Sequence, residues 1–255
     1  MSTQNRRSFL KQRAALTAAG AAQVVPRHVL GATKEAAAPS EKLNIAGIGV
    51  GGMGLGNLRN LQSQNIVALC DVDTQYAGRA SEAFPEAKRY TDYRQMLDQQ
   101  QDIDAVVIAT PDHTHAVIAA AAMRAGKHVY CQKPLTHTVG EARKLAEIAK
   151  ETGVCTQMGI QGHSGEGARQ VVEWVRAGII GEVREVVTWC SLTYYPWGHA
   201  SWSSPRGTRP EKTPPVPETL DWELWLGPAP HRPYHPCYHP RTWRSWWDFA
   251  TACWY

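Results

Sequence analysis

The chain has 255 residues, which is enough for one large domain or two small ones. A hydrophobic content of 43% and a charged content of 20% predict a globular protein and exclude a wholly disordered one. The formal charge of +4 belongs to residues 1–38, whereas the remaining residues hold 21 bases and 22 acids, so we expect no nucleic-acid partner.

Residues 1–38 are predicted to be a signal peptide. Residues 5–11 (NRRSFLK) resemble the twin-arginine export signal, although Asn5 replaces the usual Ser or Thr. The alanine-rich segment 14–25 is too short and too mildly apolar to span a bilayer. Cleavage is expected near 36–38 or 30–32, and the alternative is a disordered basic tail. We therefore expect the twin-arginine machinery as a partner, no stable membrane span, and a periplasmic or otherwise exported protein.

A strand followed by a glycine-rich turn begins the folded part of the sequence. Residues 43–48 are mostly apolar, and Gly49, Gly51 and Gly54 then give the G-x-G-x-x-G spacing. In dinucleotide-binding folds these glycines allow a tight turn, close approach of the backbone to a pyrophosphate, and close packing of the next helix. That helix, predicted at 52–64, would direct its free N–H groups at the phosphates. Alone, the pattern is weak evidence, because glycine-rich turns are common.

A second predicted strand, 65–71, strengthens the evidence for a dinucleotide site. It ends in Asp71, 20 residues after Gly51, where this fold places the carboxylate that binds the adenosine ribose. The negative charge of Asp71 would repel a 2′-phosphate, and no arginine follows it directly. The sequence therefore predicts a dinucleotide site and favours NAD over NADP.

The following elements alternate between helix and strand. Helices are predicted at 75–84, 93–97, 115–124 and 139–152, and strands at 89–91, 104–110, 127–131 and 154–159. This alternation predicts an α/β fold with a doubly wound parallel sheet of the Rossmann type. Ligands bind such sheets outside the carboxyl ends of the strands. The glycine turn, Asp71 and the segments 110–115, 131–134 and 159–163 should therefore surround one crevice.

The pattern changes after residue 165. A helix is predicted at 165–177, and residues 182–194 alternate as a strand does. All ten tryptophans lie from Trp174 onward, but no second strand or substantial helix is found in 196–240. A lone strand has unpaired edges, and ten indoles need a framework that buries them. We therefore expect an incomplete α+β C-terminal domain.

Cysteine and histidine patterns do not predict a metal site. The six cysteines show no C-x-x-C pairing, which argues against a disulfide framework or a zinc site. The histidines at 231, 235 and 239 have helical spacing, but the prolines at 233, 236 and 240 forbid a helix there. We therefore expect no metal ion.

Four motifs resemble a known family. IGVGGMG, LCDVD, IATPDHTHA and GKHVYCQKPLTHT are similar to the glucose–fructose oxidoreductase and inositol dehydrogenase family, also called Gfo/Idh/MocA, over about residues 43–250. The tract RPYHPCYHPRTWRSWWDF is typical of one exported branch. After the signal peptide predicted at 1–38, the resemblance implies an NAD-binding Rossmann domain (41–160) and the start of a C-terminal substrate and oligomerisation domain (161–255). Members often form homo-oligomers through the open sheet of that second domain.

The resemblance also implies an activity and a set of site residues. Most members move a hydride between a nicotinamide cofactor and a hydroxyl carbon of a sugar or polyol. By motif, NAD would be held at its pyrophosphate by the glycine turn, at its ribose by Asp71, and beside the nicotinamide by a T-P-x-x-x-H turn. The matching residues are Gly49, Gly51, Gly52, Met53, Asp71, Thr110, Pro111, Asp112 and His115. Asp112 could instead be a turn cap.

Lys133 matches the lysine of the family's E-K-P motif. It would contact both the cofactor and the reacting hydroxyl and help to transfer the hydroxyl proton, for which burial and the positive nicotinamide ring must lower its pKa. The alternative is a solvated lysine at a strand end. Gln132 stands where the family has a glutamate, which removes a negative charge beside Lys133. Gln161 and His163 are candidate substrate contacts, with a polar turn as the alternative.

The end of the sequence departs from the family. Family dehydrogenases carry an Asp and a His, spaced D-x-x-x-H, soon after the tract that ends in WWDF, but here the sequence continues as ATACWY. We expect a truncated chain whose catalysis is doubtful, with a natural minimal version as the alternative. Three functions remain open: an NAD-dependent sugar or polyol oxidoreductase in incomplete form, an NAD-dependent glycoside hydrolase, and a non-catalytic NAD-binding protein.

Overall fold

A computed structural model describes residues 41–188 and 208–251. The predicted signal peptide, residues 189–194 of the predicted strand at 182–194, and the last four residues lie outside the described residues. The chain divides at residue 42 into two units, and the description below concerns the second, which begins at Leu43.

A parallel sheet forms the centre of this unit. Its six strands, counted within the described ranges, are β1 (Asn44–Ile48), β2 (Asn65–Cys70), β3 (Lys88–Tyr90), β4 (Ala105–Ile108), β5 (His128–Gln132) and β6 (Thr156–Gly159). Their order across the sheet is β3-β2-β1-β4-β5-β6, and all neighbouring pairs are parallel. From β1 the strand order runs outward to β3 on one side and, starting again at β4, outward to β6 on the other side. The point between β1 and β4 is therefore the topological switch point, where such sheets bind ligands. The predicted doubly wound sheet is thus confirmed.

Helices connect these strands, and two more follow them. The helices are α1 (Met53–Asn60), α2 (Gly78–Ala83), α3 (Tyr93–Gln99), α4 (Asp112–Arg124), α5 (Val139–Thr152), α6 (Glu166–Arg176) and α7 (Trp222–Leu226). Helix α5 has the predicted bounds because Thr138 and Glu141 form a capping box and Gly153 ends it with a φ of 68°. Helix α4 begins three residues before its predicted start, directly after Pro111, with Asp112 in its first turn.

Apolar side chains are buried on both faces of the sheet. On one face Ala46 and Val106 pack beneath α4 and α5, and on the other face Ile45 and Val107 pack against α1. Burial on both faces explains why the strands are continuous apolar runs. Each fully buried aliphatic side chain contributes about 1.5–3 kcal/mol relative to an exposed one.

A second apolar cluster lies in the C-terminal part of the chain. We call it the aromatic cluster. It comprises Leu220, Trp222, Trp225, Leu226, Tyr238, Trp243, Phe249 and Ala250. The rings of Trp222 and Trp225 stack with centroids 4.7 Å apart, and both residues are almost completely buried. The expectation that the indoles lack a framework is therefore wrong for these residues, because they bury one another without a second sheet.

The predicted strand at 182–194 is not formed in its described part. Residues 182–188 have no regular secondary structure and are exposed. Helix α6 forms as predicted, but it has no buried residue, and the apolar side chains of Val171 and Trp174 are about half exposed. The alternation in 182–188 does not produce a strand because no described strand lies beside it to supply hydrogen bonds.

The aromatic cluster docks on the sheet through α4. The imidazole of His113 is nearly completely buried between the rings of Trp225 and Phe249, with centroids 5.3 and 5.1 Å away. Its Nε2 lies 3.0 Å from the carbonyl oxygen of Trp225, and its backbone N–H donates to the carbonyl of Phe249. Burial lowers the pKa of His113 to about 4, so the ring is neutral near pH 7 and Nε2–H donates to Trp225.

This burial predicts an acid sensitivity that depends on His113. The folded-state pKa is about 4 and the ordinary value is 6.5, so the unfolded chain binds more protons between these values. The contribution of His113 to stability is full above pH 6.5 and is lost as pH falls toward 4, by about 3 kcal/mol in all. We expect the free energy of unfolding of His113→Gln, measured with urea at pH 7, 5.5 and 4.5, to lack this pH-dependent contribution.

The matched control is His231→Gln, because His231 is exposed. Its unfolding free energy should keep the pH slope of the parent chain. The same slope in His113→Gln would contradict the assignment of a buried neutral imidazole.

Candidate functional site

A cleft of about 870 Å³ lies at the carboxyl ends of β1, β2 and β4. This volume is within the range of small-molecule and cofactor sites. Seven predicted site residues line it: Gly49, Gly51, Gly52, Met53, Asp71, Thr110 and Pro111. Asp112, His115, Lys133, Gln161 and His163 do not. The cleft therefore brings together the residues predicted to hold the pyrophosphate and the ribose.

The turn after β1 requires glycine at its first position. Gly49 has a φ of 77°, and its N–H donates to the carbonyl of Cys70 over 2.8 Å. A Cβ at Gly49 would lie 2.7 Å from the backbone nitrogen of Thr110, so no other residue fits. Helix α1 then starts after Gly52 without a side-chain cap, which leaves its first N–H groups available to an anion. These features fit the pyrophosphate of a dinucleotide.

Tyr76 gives Gly51 a second reason to be glycine. A Cβ at Gly51 would lie 2.0 Å from Cδ1 of Tyr76, so the tyrosine ring packs directly on this glycine. The backbone N–H of Tyr76 donates to Oδ1 of Asp73 over 3.0 Å, which fixes the base of the ring. Sequence analysis gave only the pyrophosphate as the reason for Gly51 and did not identify Tyr76, because nothing in the spacing relates the two residues.

The carboxylate of Asp71 is held beside the glycine turn by backbone donors. Its Oδ2 accepts from the N–H of Val50 over 2.8 Å, and its Oδ1 accepts from the N–H of Asp73 over 3.1 Å. Burial raises the pKa of Asp71 to about 6, and the backbone N–H donors partly oppose that rise. A ribose hydroxyl in the cleft could donate to this carboxylate when it is ionised.

His115 lies behind the cleft and joins two turns. Its Nε2 is 2.8 Å from the carbonyl oxygen of Thr110, and its Nδ1 is 2.7 Å from that of Pro134. The side chain is almost completely buried and does not line the cleft. Its position beside Thr110 agrees with the motif, but its contacts are those of a bridge between the turn after β4 and the turn after β5.

Lys133 lies on the turn after β5 and is exposed. Its backbone N–H donates to the carbonyl of Gly159 over 3.1 Å, which ties this turn to the end of β6. The expectation that Lys133 is buried is wrong for this structure, because the side chain leaves the strand end toward solvent. The order of the strands nevertheless brings its turn to the same edge of the sheet as Thr110.

Two of the three remaining candidates make contacts within the protein. Oδ2 of Asp112 accepts from both the N–H and the hydroxyl of Thr251, each over 3.1 Å, so Asp112 ties α4 to the end of the described chain. Nε2 of Gln161 donates to Oε1 of Gln132 over 2.8 Å. His163 is exposed. These contacts bring Gln161 to Gln132, whose neighbour in sequence is Lys133.

The three histidines at helical spacing go to different partners. His231 lies 3.3 Å from a carboxylate oxygen of Glu223, Nδ1 of His235 accepts from the N–H of Cys237, and His239 pairs with Asp73. Among residues 41–188 and 208–251, no cluster of His, Cys, Asp or Glu is arranged to hold a metal ion. In the same ranges no helix is both long and apolar enough to cross a membrane.

Sequence analysis missed the part of the cleft that the C-terminal segment supplies. Trp225, His239, Arg241, Trp243 and Arg244 all line the cleft, although they lie more than 100 residues after Thr110. The tract that resembles an exported branch contains the last four of these residues but not Trp225, and it assigned none of them a role.

Sequence comparison identifies two family matches. Residues 43–160 match the model of an oxidoreductase family with an NAD-binding Rossmann fold, and residues 165–253 match that of the same family's C-terminal alpha/beta domain. A glycosyl hydrolase family 109 protein of Shewanella pealeana is 32% identical over 70% of this chain and 44% of its own length. An inositol 2-dehydrogenase of Salmonella typhimurium is 32% identical over 53% of this chain and 42% of its own length. The chain thus spans less than half the length of these curated relatives.

Solved structures give the same picture. A myo-inositol 2-dehydrogenase from Lactobacillus plantarum is 30% identical with a TM-score of 0.53, and the match covers 56% of this chain and 43% of that one. A 3-ketoreductase from Actinomadura kijaniata, solved with TDP-benzene and NADP, is 28% identical with a TM-score of 0.51, over 56% of this chain and 45% or 46% of that one in two structures. Each of these matches covers a little over half of this chain.

The environment of Asp71 predicts a pH-dependent affinity for NAD. A carboxylate with a pKa of about 6 is mostly protonated at pH 5 and then cannot accept a hydrogen bond from each of two ribose hydroxyls. We expect NAD binding, measured by titration calorimetry, to be about tenfold weaker at pH 5 than at pH 7. Asp71→Asn should weaken binding at pH 7 by about tenfold or more and remove this pH dependence.

Asp98→Asn is the matched control, since it makes the same change on the exposed face of α3. It should bind NAD as the parent chain does. Unchanged affinity in both Asp71→Asn and Asp71→Ala would refute the ribose assignment.

Proposed function

The chain belongs to the Gfo/Idh/MocA family of oxidoreductases, and from that premise we propose that it transfers a hydride between NAD and a hydroxyl carbon of a sugar, polyol or derivative. The observation that carries this proposal is the turn after β1, where the positive φ of Gly49 and the uncapped start of α1 face a cleft that also holds Asp71. NAD binding is a property of the family, whereas the substrate and the activity of this chain are proposals.

Two parts of the cleft would hold the cofactor. The glycine turn and the first N–H groups of α1 would bind the pyrophosphate, because a helix N-terminus attracts an anion. Asp71 would accept hydrogen bonds from the adenosine ribose, and its negative charge would favour NAD over NADP. Thr110 and Pro111, which line the same cleft, would lie beside the nicotinamide half.

Lys133 is the proposed proton-transfer residue. A bound nicotinamide supplies the site that accepts or returns a hydride, but an alcohol that loses a hydride must also lose its hydroxyl proton. The neutral amine of Lys133 would accept a hydrogen bond from the substrate hydroxyl and take its proton as the hydride leaves, and the resulting ammonium would return that proton in the reverse reaction. His115 supports this role because it joins the Lys133 turn, through Pro134, to the carbonyl of Thr110. Gln161, through Gln132, would extend the same edge toward the substrate, and His163 would lie beside it.

A glycoside hydrolase that uses NAD is the second candidate. The match to a glycosyl hydrolase family 109 protein covers 70% of this chain, whereas the match to an inositol 2-dehydrogenase covers 53%. The two reactions can be distinguished by their products. A dehydrogenase forms NADH from a polyol, whereas the hydrolase would release the phenol of an aryl glycoside without net formation of NADH.

Export is part of the same proposal. The sequence at residues 5–11 favours the twin-arginine route, which carries folded proteins and would allow NAD to be loaded in the cytoplasm first. We expect the combined change Arg6→Lys and Arg7→Lys to retain the protein in the cytoplasm when fractions of a bacterial host are probed by immunoblot. Unchanged periplasmic recovery would exclude this route. Homo-oligomer formation through the C-terminal domain would be tested on the exported protein by light scattering.

Lys133→Met tests the proposed chemistry. The substitution keeps the apolar stem and removes the ammonium, so turnover of NAD with a panel of inositols, sugars and polyols should fall by about a hundredfold or more. The affinity for NAD should change by less than about twofold, because the pyrophosphate and ribose contacts remain.

Lys144→Met on the exposed face of α5 is the control and should retain full turnover. Equal turnover in Lys133→Met and the parent chain would refute the role of Lys133. Binding of NAD without turnover of any polyol or aryl glycoside by the parent chain would instead favour a non-catalytic NAD-binding protein.

A further inference from the structure

The ring of Tyr76 lies along the glycine turn. A Cβ at Gly51 would lie 2.0 Å from Cδ1 of Tyr76 and 2.3 Å from Cε1, and a Cβ at Gly52 would lie 3.0 Å from the phenol oxygen. The ring therefore runs from Gly51 toward Gly52, and its hydroxyl lies beside the residue that precedes α1. Tyr76 belongs to the loop after β2, and it lines the cleft.

Two contacts orient this ring without a ligand. The backbone N–H of Tyr76 donates to Oδ1 of Asp73 over 3.0 Å, and the ring meets the imidazole of His239 edge-on, with centroids 6.1 Å apart. Asp73 and His239 are themselves buried, and Oδ2 and Nε2 of the two lie 2.8 Å apart. The phenol is thus held over the turn before a ligand arrives, which reduces the entropy lost on binding.

The hydroxyl of Tyr76 forms no hydrogen bond with residues 41–188 or 208–251. The side chain is only partly buried, so water can satisfy the hydroxyl while the cleft is open. A ligand that covers the ring would remove this water. It must then offer an acceptor in its place, because a phenol O–H that is buried without a partner weakens binding. The position of the hydroxyl therefore calls for a ligand with an acceptor beside Gly52.

The glycine turn itself offers no side chain to an anion. Residues 49–54 (GVGGMG) carry neither a charge nor a side-chain hydrogen-bond donor, so the turn binds through backbone N–H groups and the dipole of α1. The phenol adds a side-chain donor at this end of the helix. A hydrogen bond to an ionised acceptor is about twice as strong as one between neutral groups. We propose that Tyr76 is a cofactor-binding residue whose hydroxyl donates to the diphosphate held on the glycine turn.

Other hydroxyl groups in the cleft fit this role less well. The hydroxyl of Thr114 lies 2.8 Å from Oγ1 of Thr110, so these two side chains already bind each other. Thr91 and Tyr93 also line the cleft, but they follow β3, which β2 separates from β1. Tyr76 combines direct packing on the turn, a fixed orientation and a free donor.

The role of Tyr76 rests on the proposed function, because it takes the ligand of the cleft to be a dinucleotide. It predicts a selective effect. The hydroxyl would act on the diphosphate and not on the adenosine, so its removal should weaken only those ligands that carry a diphosphate.

Tyr76→Phe tests this role, because phenylalanine keeps the ring against Gly51 and removes only the hydroxyl. The affinities for adenosine, ADP and NAD are measured by titration calorimetry, or by competition where binding is weak. We expect ADP and NAD to bind about tenfold more weakly, since a charge-assisted hydrogen bond is lost. The affinity for adenosine should change by less than about twofold.

Tyr130→Phe is the matched control. Tyr130 also packs on a glycine, since a Cβ at Gly159 would lie 2.6 Å from its phenol oxygen, but Tyr130 does not line the cleft. This variant should bind adenosine, ADP and NAD as the parent chain does. Unchanged adenosine binding in Tyr76→Phe shows in addition that the adenosine part of the cleft remains folded.

The rate of NAD release gives a second measurement. Trp225 and Trp243 line the cleft, so stopped-flow tryptophan fluorescence can follow both association and release. Release should be about tenfold faster in Tyr76→Phe and association should stay within about twofold, because the hydrogen bond forms after the cofactor has entered. A similar increase in both rates would overturn the role as a donor, because it would identify the ring as a barrier to entry and exit.

Three further results would overturn the proposed role, and they can be distinguished. Affinities of Tyr76→Phe for ADP and NAD within about twofold of the parent would exclude the hydrogen bond and leave the dinucleotide site intact. An equal loss for adenosine and ADP would mean that Tyr76 only shapes the cleft. If the parent chain itself binds no NAD, the proposed function fails, and the role of Tyr76 fails with it.

Discussion

The carboxylate of Asp73 joins the parallel sheet to the aromatic cluster. Its Oδ1 accepts from the backbone N–H groups of Gln75 and Tyr76, and its Oδ2 lies 2.8 Å from Nε2 of His239. The backbone of Asp73 also forms an antiparallel bridge with Leu220. A single residue after β2 therefore fixes the ring that covers the glycine turn and the segment that supplies the other side of the cleft.

Much of the cleft's geometry therefore depends on one buried polar contact, the one between Asp73 and His239. Asp73 and His239 are both nearly completely buried, and burial lowers the pKa of His239 although Asp73 opposes that shift. A lowered pKa favours the neutral imidazole, and removing one partner of a buried hydrogen bond typically costs about 1–3 kcal/mol, because the other polar group is left without a partner. Oδ1 of Asp71 accepts from the N–H of Asp73. The ribose side and the C-terminal side of the cleft therefore share the backbone segment 71–73.

Sequence analysis predicted the sheet well because the sheet is encoded locally. The strands β2 and β4 are continuous apolar runs, and α5 carries its capping residues and its terminal glycine within 16 residues of sequence. The glycine spacing likewise predicted the turn, because Gly49 needs a positive φ that few residues tolerate. Tyr76 was missed for the opposite reason. Its ring packs on Gly51, 25 residues earlier in the sequence, and a single long-range contact leaves no period in the sequence.

The T-P-x-x-x-H motif at the start of α4 predicted the location of these residues correctly but not the contacts that they make. Asp112, His113 and His115 lie within four residues, and each holds a different segment: Thr251, the carbonyl of Trp225, and the carbonyls of Thr110 and Pro134. Within this motif Thr110, Pro111 and Thr114 line the cleft, whereas Asp112, His113 and His115 do not. A helix start that must satisfy three neighbouring segments constrains its polar residues as strictly as a ligand would. The T-P-x-x-x-H pattern therefore marks a structural joint beside the cofactor cleft, and the geometry of the cleft depends on that joint even where the residues touch no ligand.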